Sequence, residues 1–272
     1  MMNDNERAIL AEVGLSPARI KALFAERGIS RELHICYESE STNKDAKAYY
    51  EEGGRASAIF IADGQTAGRG RRGRSFESPH AAGIYMSFLL TNAGELGSFT
   101  SVTAFTAVAV ARAIERVCGL HVDIKWVNDI YYKGKKLGGI LTEGALSEDM
   151  RTASYVVIGI GLNVLRAELP KELTDIASSI EEVTGGRVDR GLLISEIVSE
   201  LERGIGNFAS AEVVEEYRRR SFLVGREVTV HKLGGAYSAR VVGIGDDMSL
   251  KLLLPDGTRE DLITGEVSVR AR

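Results

Sequence analysis

The most informative segment of the sequence is "GQTAGRGRRGRSFESPHAAG", residues 64–83. Its centre, "GRGRRGR" from Gly68 to Arg74 (the arginine loop), holds four arginines and three glycines in seven positions. Glycine lets a backbone approach a ligand closely, and arginine offers several donors to anionic oxygens. Apolar segments typical of buried strands flank the stretch, "ASAIFIAD" before it and "GIYMSFLL" after it. We therefore predict a loop that is anchored in a sheet at both ends and closes on an anion.

The arginine loop alone leaves two other interpretations open, a solvated charged face and a general nucleic-acid patch. The net charge of −4 shows that the positive charge is local to this loop. Composition therefore gives no support to a protein that coats a polyanion.

Composition predicts an ordinary globular protein. The chain has 272 residues, 44% of them hydrophobic and 26% charged, which is enough for a buried core. Cys36 and Cys118 lie far apart without the spacing of a metal site, so we expect reduced thiols. No apolar run reaches the roughly 18 residues of a membrane span, and the N-terminus is too acidic for a signal peptide. We expect a cytoplasmic protein that does not contact membranes.

Strands and helices alternate through the middle of the chain. "LHICYESE" and "ASYVVIGIGLNV" are predicted strands, and "HVDIKWVNDIYYKGKKLGGILTEGAL" is predicted to form two strands around the turn at residues 133–135. Residues 98–119 have apolar positions at helical spacing, and further helices are predicted at about 174–184, 190–208 and 211–221.

The two ends of the chain differ from this middle region. Residues 1–30 are predicted to form two short helices, with Ser16-Pro17 as a helix start and Gly28 as a stop. They resemble part of a DNA-reading motif but are too short for a third helix or a wing, so we expect a helical brace and no DNA binding. After Gly225, short strands separated by turns predict a small β-barrel.

Three further motifs carry polar side chains beside predicted strands. "KWVND" begins with Lys125, which is predicted to lie where a buried strand begins. A lysine there needs an anionic partner if buried, although it can also extend its ammonium to solvent. "STN", residues 41–43, offers three short hydrogen-bonding side chains, and helix capping explains it equally well. "GIGLN", residues 159–163, is an incomplete dinucleotide-binding pattern.

In this order, the motifs resemble a biotin protein ligase. The resemblance covers about residues 33–270 and departs from the family in two places. Val127 replaces the usual proline of the "KWPND" motif, and the N-terminal winged helix is absent or reduced to residues 1–30. It implies an α+β fold, a mixed-sheet catalytic domain with a small C-terminal SH3-like β-barrel. The implied domains are a helical segment 1–32, a catalytic domain 33–223 and a β-domain 224–272.

The resemblance also implies a reaction and its residues. Biotin and ATP, with Mg²⁺ accompanying the ATP, would give biotinyl-5′-AMP, from which biotin passes to a carrier lysine. No protein metal site is implied, and the catalytic residues would be Lys125 and Arg71. The implied biotin-binding residues are Ser41, Thr42, Asn43, Gln65, Gly68, Arg69, Gly70, Arg71, Lys125, Gly159 and Gly161. The implied ATP-binding residues are Arg69, Arg71, Arg74, Lys125, Asn128 and Asn163.

The expected partner is a biotin carboxyl carrier protein, and a homodimer is possible in this family. Two other activities stay open from sequence: a lipoate–protein ligase, which shares the fold, and a biotin-responsive DNA-binding regulator. The small C-terminal domain either stabilises the fold or takes part in carrier docking and closure over ATP.

Overall fold

The structure is a computed structural model that describes residues 3–91, 98–146, 152–168, 170–232 and 235–269. Within these ranges no helix is long and apolar enough to cross a bilayer. Cys36 and Cys118 are unpaired, and burial raises the pKa of each thiol to about 11. Such thiols carry little thiolate at neutral pH and are poor nucleophiles.

The larger part of the fold is built on a mixed seven-stranded sheet in the order β1-β2-β3-β7-β6-β5-β4. β1 and β2 run parallel, and the remaining neighbours pair antiparallel. The strands are β1 (Glu32–Ser39), β2 (Ala58–Gln65), β3 (Gly83–Thr91), β4 (Asp123–Lys125), β5 (Asp129–Tyr132), β6 (Lys135–Leu146) and β7 (Ala153–Asn163).

Helices cover both faces of this sheet. α4 is buried along most of its length and packs on α6, α7 and β6, whereas α3 packs on β2, β3 and β7. The helices are α1 (Asp4–Glu12), α2 (Pro17–Glu26), α3 (Thr42–Glu51), α4 (Phe99–Cys118), α5 (Ile180–Thr184), α6 (Arg190–Gly204) and α7 (Ala211–Arg220). The helix α2 begins at Pro17 with Ser16 as its N-cap, as predicted. The helix α4 ends before Gly119, which adopts the left-handed conformation that glycine accepts.

The N-terminal helix pair, α1 and α2, docks on α6 and on the strand β1. Its apolar side chains Leu10, Leu15, Ile20 and Phe24 belong to the main hydrophobic core. Residues 3–28 are therefore packed against the body built on the seven-stranded sheet, as expected for a helical brace.

The C-terminal part is a five-stranded antiparallel sheet in the order β11-β10-β9-β8-β12. Its strands are β8 (Glu227–Lys232), β9 (Gly235–Ile244), β10 (Leu250–Leu253), β11 (Arg259–Leu262) and β12 (Glu266–Val269). The predicted α+β fold with a small C-terminal β-domain is confirmed.

Three local predictions were wrong. The "KWVND" region contains a third strand, β4, and Lys125 ends this strand instead of beginning one. Residues 174–179 are not helical, because Lys136 of β6 pairs with this segment through the N–H of Ser178 and the carbonyl of Ile176. The helix α6 ends at Gly204, four residues earlier than predicted.

Candidate functional site

One open cavity lies over the sheet face formed by β7 and its neighbours. The arginine loop, the start of α3, the turn between β4 and β5 and the start of β12 complete its wall. Most of the predicted site residues line it together: Ser41, Thr42, Asn43, Gln65, Arg69, Gly70, Arg71, Arg74, Lys125, Asn128, Gly159 and Gly161.

Two predicted residues, Gly68 and Asn163, are not among the residues that line this cavity. Gly68 lies against the chain that returns from the arginine loop, where an added Cβ would overlap the carbonyl of Phe76. Asn163 donates to the carbonyl of Ser178 at 3.3 Å and lines a second cavity beside Tyr85 and Arg166. Gly68 thus permits close packing of the loop.

The neutral end of the cavity is a buried cluster of short polar side chains. Gln65 accepts from the N–H of Thr42 at 2.9 Å, and Ser87 lies 2.8 Å from the hydroxyl of Thr42. Asn43 donates to Glu143 at 2.7 Å. Ser41 occupies the N-cap position of α3 but makes no capping bond with its side chain. Helix capping therefore does not explain this motif.

The side chain of Asn43 packs so closely on β7 that position 159 must be a glycine. A Cβ at Gly159 would overlap the side-chain oxygen of Asn43, which Ser87 and Glu143 hold in place. This glycine therefore lets the polar cluster sit directly on the strand β7.

The sequence resemblance implies a biotin pocket at this polar cluster, and on that expectation Gly159→Ala should weaken biotin binding roughly 10-fold, because overpacking at a filled site displaces side chains. Isothermal titration with biotin measures the change. Gly186→Ala is the matched control, since an added Cβ there meets no atom within 4 Å. Unchanged biotin affinity in folded Gly159→Ala would show that the polar cluster does not contact biotin.

The cationic end of the cavity is built from Arg71, Lys125 and Lys136. Arg71 donates to the side-chain oxygen of Asn128 at 3.0 Å, and Lys136 forms an ion pair with Asp129 at 2.6 Å. Burial is the main cause that lowers the pKa of both Arg71 and Lys125. Asp129 is the acidic cross-strand neighbour of Lys125, and it already forms its ion pair with Lys136. An anionic ligand would relieve this partly desolvated positive charge.

The C-terminal part contributes to the same cavity, which the sequence did not reveal. Arg71 donates to the carbonyl of Gly265 at 3.3 Å, and Arg74 forms an ion pair with Glu266 at 2.7 Å. Trp126 of the "KWVND" motif donates to the carbonyl of Met248 at 2.8 Å. These contacts connect both cationic motifs to the small β-domain.

We expect Trp126→Phe to lower the free energy of unfolding by about 1–3 kcal/mol, because it leaves the Met248 carbonyl without its donor. Urea unfolding at equilibrium measures this loss. Tyr132→Phe is the control, since within the described residues the Tyr132 hydroxyl makes no hydrogen bond and its ring faces Lys133. Equal stability of both variants would exclude a stabilising contact at Met248.

Phe76 is a further cavity residue that the sequence motifs did not indicate. A Cβ on Gly161 would lie 2.7 Å from the Phe76 ring, so the ring covers this part of β7. Phe76 is the only aromatic residue between Gly64 and Gly83, and that was the available signal. It gives the cavity an apolar part of its wall.

Both parts of the chain are similar to known proteins. Residues 38–163 match the model described as the biotin/lipoate A/B protein ligase family, and residues 223–270 match the biotin protein ligase C-terminal domain. The bifunctional ligase/repressor BirA of Bacillus spizizenii is 34% identical over 232 residues, covering 84% of this chain and 71% of that protein. The biotin–[acetyl-CoA-carboxylase] ligase of Mycobacterium tuberculosis is 32% identical, covering 80% of each. The Aquifex aeolicus biotin protein ligase in complex with biotin and ATP superposes with a TM-score of 0.73 at 28% identity, covering 89% of this chain and 100% of that one.

Proposed function

We infer the activity of this chain from the family to which it belongs, the biotin protein ligases of the biotin/lipoate A/B protein ligase family. It is an ATP-dependent biotin–protein ligase. It activates biotin to biotinyl-5′-AMP and then transfers biotin to a lysine of a biotin carboxyl carrier protein. The observation that carries the proposal is one cavity with a neutral polar end and a cationic end.

The cationic end suits the first step. The biotin carboxylate attacks the α-phosphorus of ATP, and pyrophosphate leaves, so two anions must approach each other. Lys125 and Arg71 would offset this repulsion, and their partial burial makes the offset stronger than in water. Guanidinium donors also match phosphate oxygens in pairs, which suits Arg69 and Arg74 for the remaining phosphates.

The neutral end suits the rest of biotin. Its ureido ring needs donors and acceptors without charge, which Ser41, Thr42 and Gln65 supply. Gly159 and Gly161 let Asn43 and the Phe76 ring pack directly on the strand β7, and an apolar stem would lie against that ring. Asn43, which donates to Glu143, would fix this end of the pocket.

ATP would bring its own Mg²⁺. Within the described residues no group of three or more histidine, cysteine or acidic side chains could hold a metal ion. Triphosphate oxygens and water therefore fit Mg²⁺ better than a protein cage does. The ion would shield the phosphate charge during the first step.

In the second step the carrier's lysine amine attacks the acyl carbon of the mixed anhydride, and AMP leaves. The arginine loop would cover the anhydride until the carrier arrives, because its residues 69–72 and 74 line the cavity. We propose a carboxylase carrier domain as the partner and a homodimer as a possible assembly.

The test is incubation with biotin, Mg-ATP and a carrier domain, followed by mass spectrometry of the carrier. We expect a biotinyl mass gain on one carrier lysine, and none when lipoate replaces biotin. A gain with lipoate alone would make the chain a lipoate ligase. A gel shift with operator DNA, biotin and ATP tests the regulator, and we expect none because α1 and α2 bury their apolar faces in the core.

A further inference from the structure

A buried ion pair outside the cavity has no role in the function proposed above. Arg190 begins α6 and Asp63 lies in β2, and their side chains are each 1% exposed and 2.8 Å apart. The desolvation of two charges offsets most of what such a pair contributes to stability. A contribution to stability therefore does not explain why the pair is buried there. The hydrogen bonds that it makes to neighbouring segments explain it better.

On one side, Arg190 connects the N-terminal helix pair to the sheet. It donates to the carbonyl of Val13 through two nitrogens, at 3.0 and 2.6 Å, and to the carbonyl of Gly83 at 2.9 Å. Val13 is the C-cap of α1, and Gly83 begins β3. Beside it, Arg19 of α2 donates at 2.8 Å to Asp189, which caps α6. The docked helix pair thus completes the hydrogen bonding of Arg190.

On the other side, Asp63 holds the return segment, residues 75–82, which leads from the arginine loop to β3. Its carboxylate accepts from the N–H of Ala81 at 3.1 Å. Ala81 has φ of 54°, a conformation that a non-glycine residue keeps only when its surroundings fix it. The ring nitrogens of His80 lie 3.1 Å from Asp63 and 3.1 Å from Glu38, and the ring stacks on Tyr37 at 4.2 Å.

The return segment in turn holds two residues of the cavity. The N–H of Gln65 donates to the carbonyl of Ser78 at 3.0 Å, and its side-chain amide donates to the Ser78 hydroxyl at 2.9 Å. Phe76, in the same segment, covers Gly161. A shift of this segment would therefore move both a polar contact and an apolar wall of the pocket.

We propose that Arg190, Asp63 and His80 are positioning residues for the biotin pocket, which they connect to the N-terminal helix pair. They act through the return segment on Gln65 and Phe76. This inference rests on the function proposed above.

The first test is His80→Phe, which keeps the ring on Tyr37 and removes both carboxylate contacts. We expect the KM for biotin to rise roughly 10-fold with kcat changed less than about 2-fold, because pocket geometry is lost and the reacting groups are not. His121→Phe is the matched control: this histidine also lies 3.1 Å from a carboxylate, Glu115, and should leave both constants unchanged. A lower kcat at constant KM would overturn the proposal.

The second test does not need activity. Trypsin cuts after arginine, so the rate of cleavage within residues 69–74 of the ligand-free protein reports how firmly the loop is held. We expect faster cleavage in His80→Phe and in Arg19→Ala, with a less than additive effect in the double variant. Arg31→Ala, which breaks the comparable pair with Glu202 on α6, is the control for Arg19.

The outcomes separate the two proposals. A parent protein that forms no biotinyl-5′-AMP refutes the proposed function, while the cleavage rates still test the positioning residues. Parent-like cleavage in His80→Phe refutes the positioning role, whatever the activity. If His80→Phe melts early, Glu38→Gln removes a charge from the exposed side of the same ring. It should raise the KM for biotin about 3-fold, and an unchanged KM would refute the role.

Discussion

Lys125→Ala should slow the formation of biotinyl-5′-AMP by at least ~10²-fold, the effect of losing one preorganised electrostatic group in an active site. The structure gives the reason. Lys125 ends β4 inside the cavity, burial lowers its pKa, and its cross-strand neighbour Asp129 is paired with Lys136. Its charge is therefore available to the attacking carboxylate and the α-phosphate. Release of pyrophosphate in a single turnover measures the step.

Two further variants test this prediction. Lys133→Ala is the control, because Lys133 lies in the hairpin after β5 and its ammonium faces the Tyr132 ring. Lys125→Arg keeps the charge but changes its position, so we expect an intermediate rate. Near-normal adenylation by folded Lys125→Ala would remove this lysine from the reaction and favour an ammonium that points to solvent.

Arg71→Gly should release biotinyl-5′-AMP ~10- to 100-fold faster than the parent, the range expected when charged hydrogen bonds to phosphate are lost. It should then label bystander proteins, because the free mixed anhydride acylates any accessible lysine. Arg71 also joins Asn128 to Gly265, so its removal loosens the loop from two walls of the cavity. A streptavidin blot of a mixed lysate at matched turnover detects the labelling.

Arg72→Gly is the matched control for this experiment. Arg72 is exposed and has φ of 56°, a conformation in which glycine is unstrained. It should label its carrier as selectively as the parent does. Carrier-only labelling by Arg71→Gly, or adenylate release at the parental rate, would show that the arginine loop is a docking surface and not a cover.

Local sequence predicted those parts of the fold that depend on near neighbours. The arginine loop was placed correctly because two apolar strands bound it, and α4 ended at Gly119 because glycine accepts a left-handed conformation. The strand β4 was missed because three residues are too few to show an alternating pattern. Residues 174–179 were assigned to a helix because their pairing with Lys136 depends on a distant strand.

The candidate site also has a part that the sequence predicted and a part that it did not. Most residues of the "STN", arginine-loop and "KWVND" motifs meet in one cavity, as their chemistry suggested. Met248, Gly265 and Glu266 could not be predicted, because they carry no motif and approach the site only through the tertiary fold.

From the contacts of the small β-domain we expect an order of events during the synthesis of this protein. Arg71 reaches a carbonyl 194 positions later in the chain, and Trp126 reaches one 122 positions later. While Gly265 is still inside the ribosome, the nascent chain therefore lacks the hydrogen bond from Arg71 of the arginine loop to the Gly265 carbonyl. Contacts between such distant residues also form late in folding, because the intervening chain must first be ordered. Newly made molecules should accordingly acquire full activity only after β12 has paired with β8.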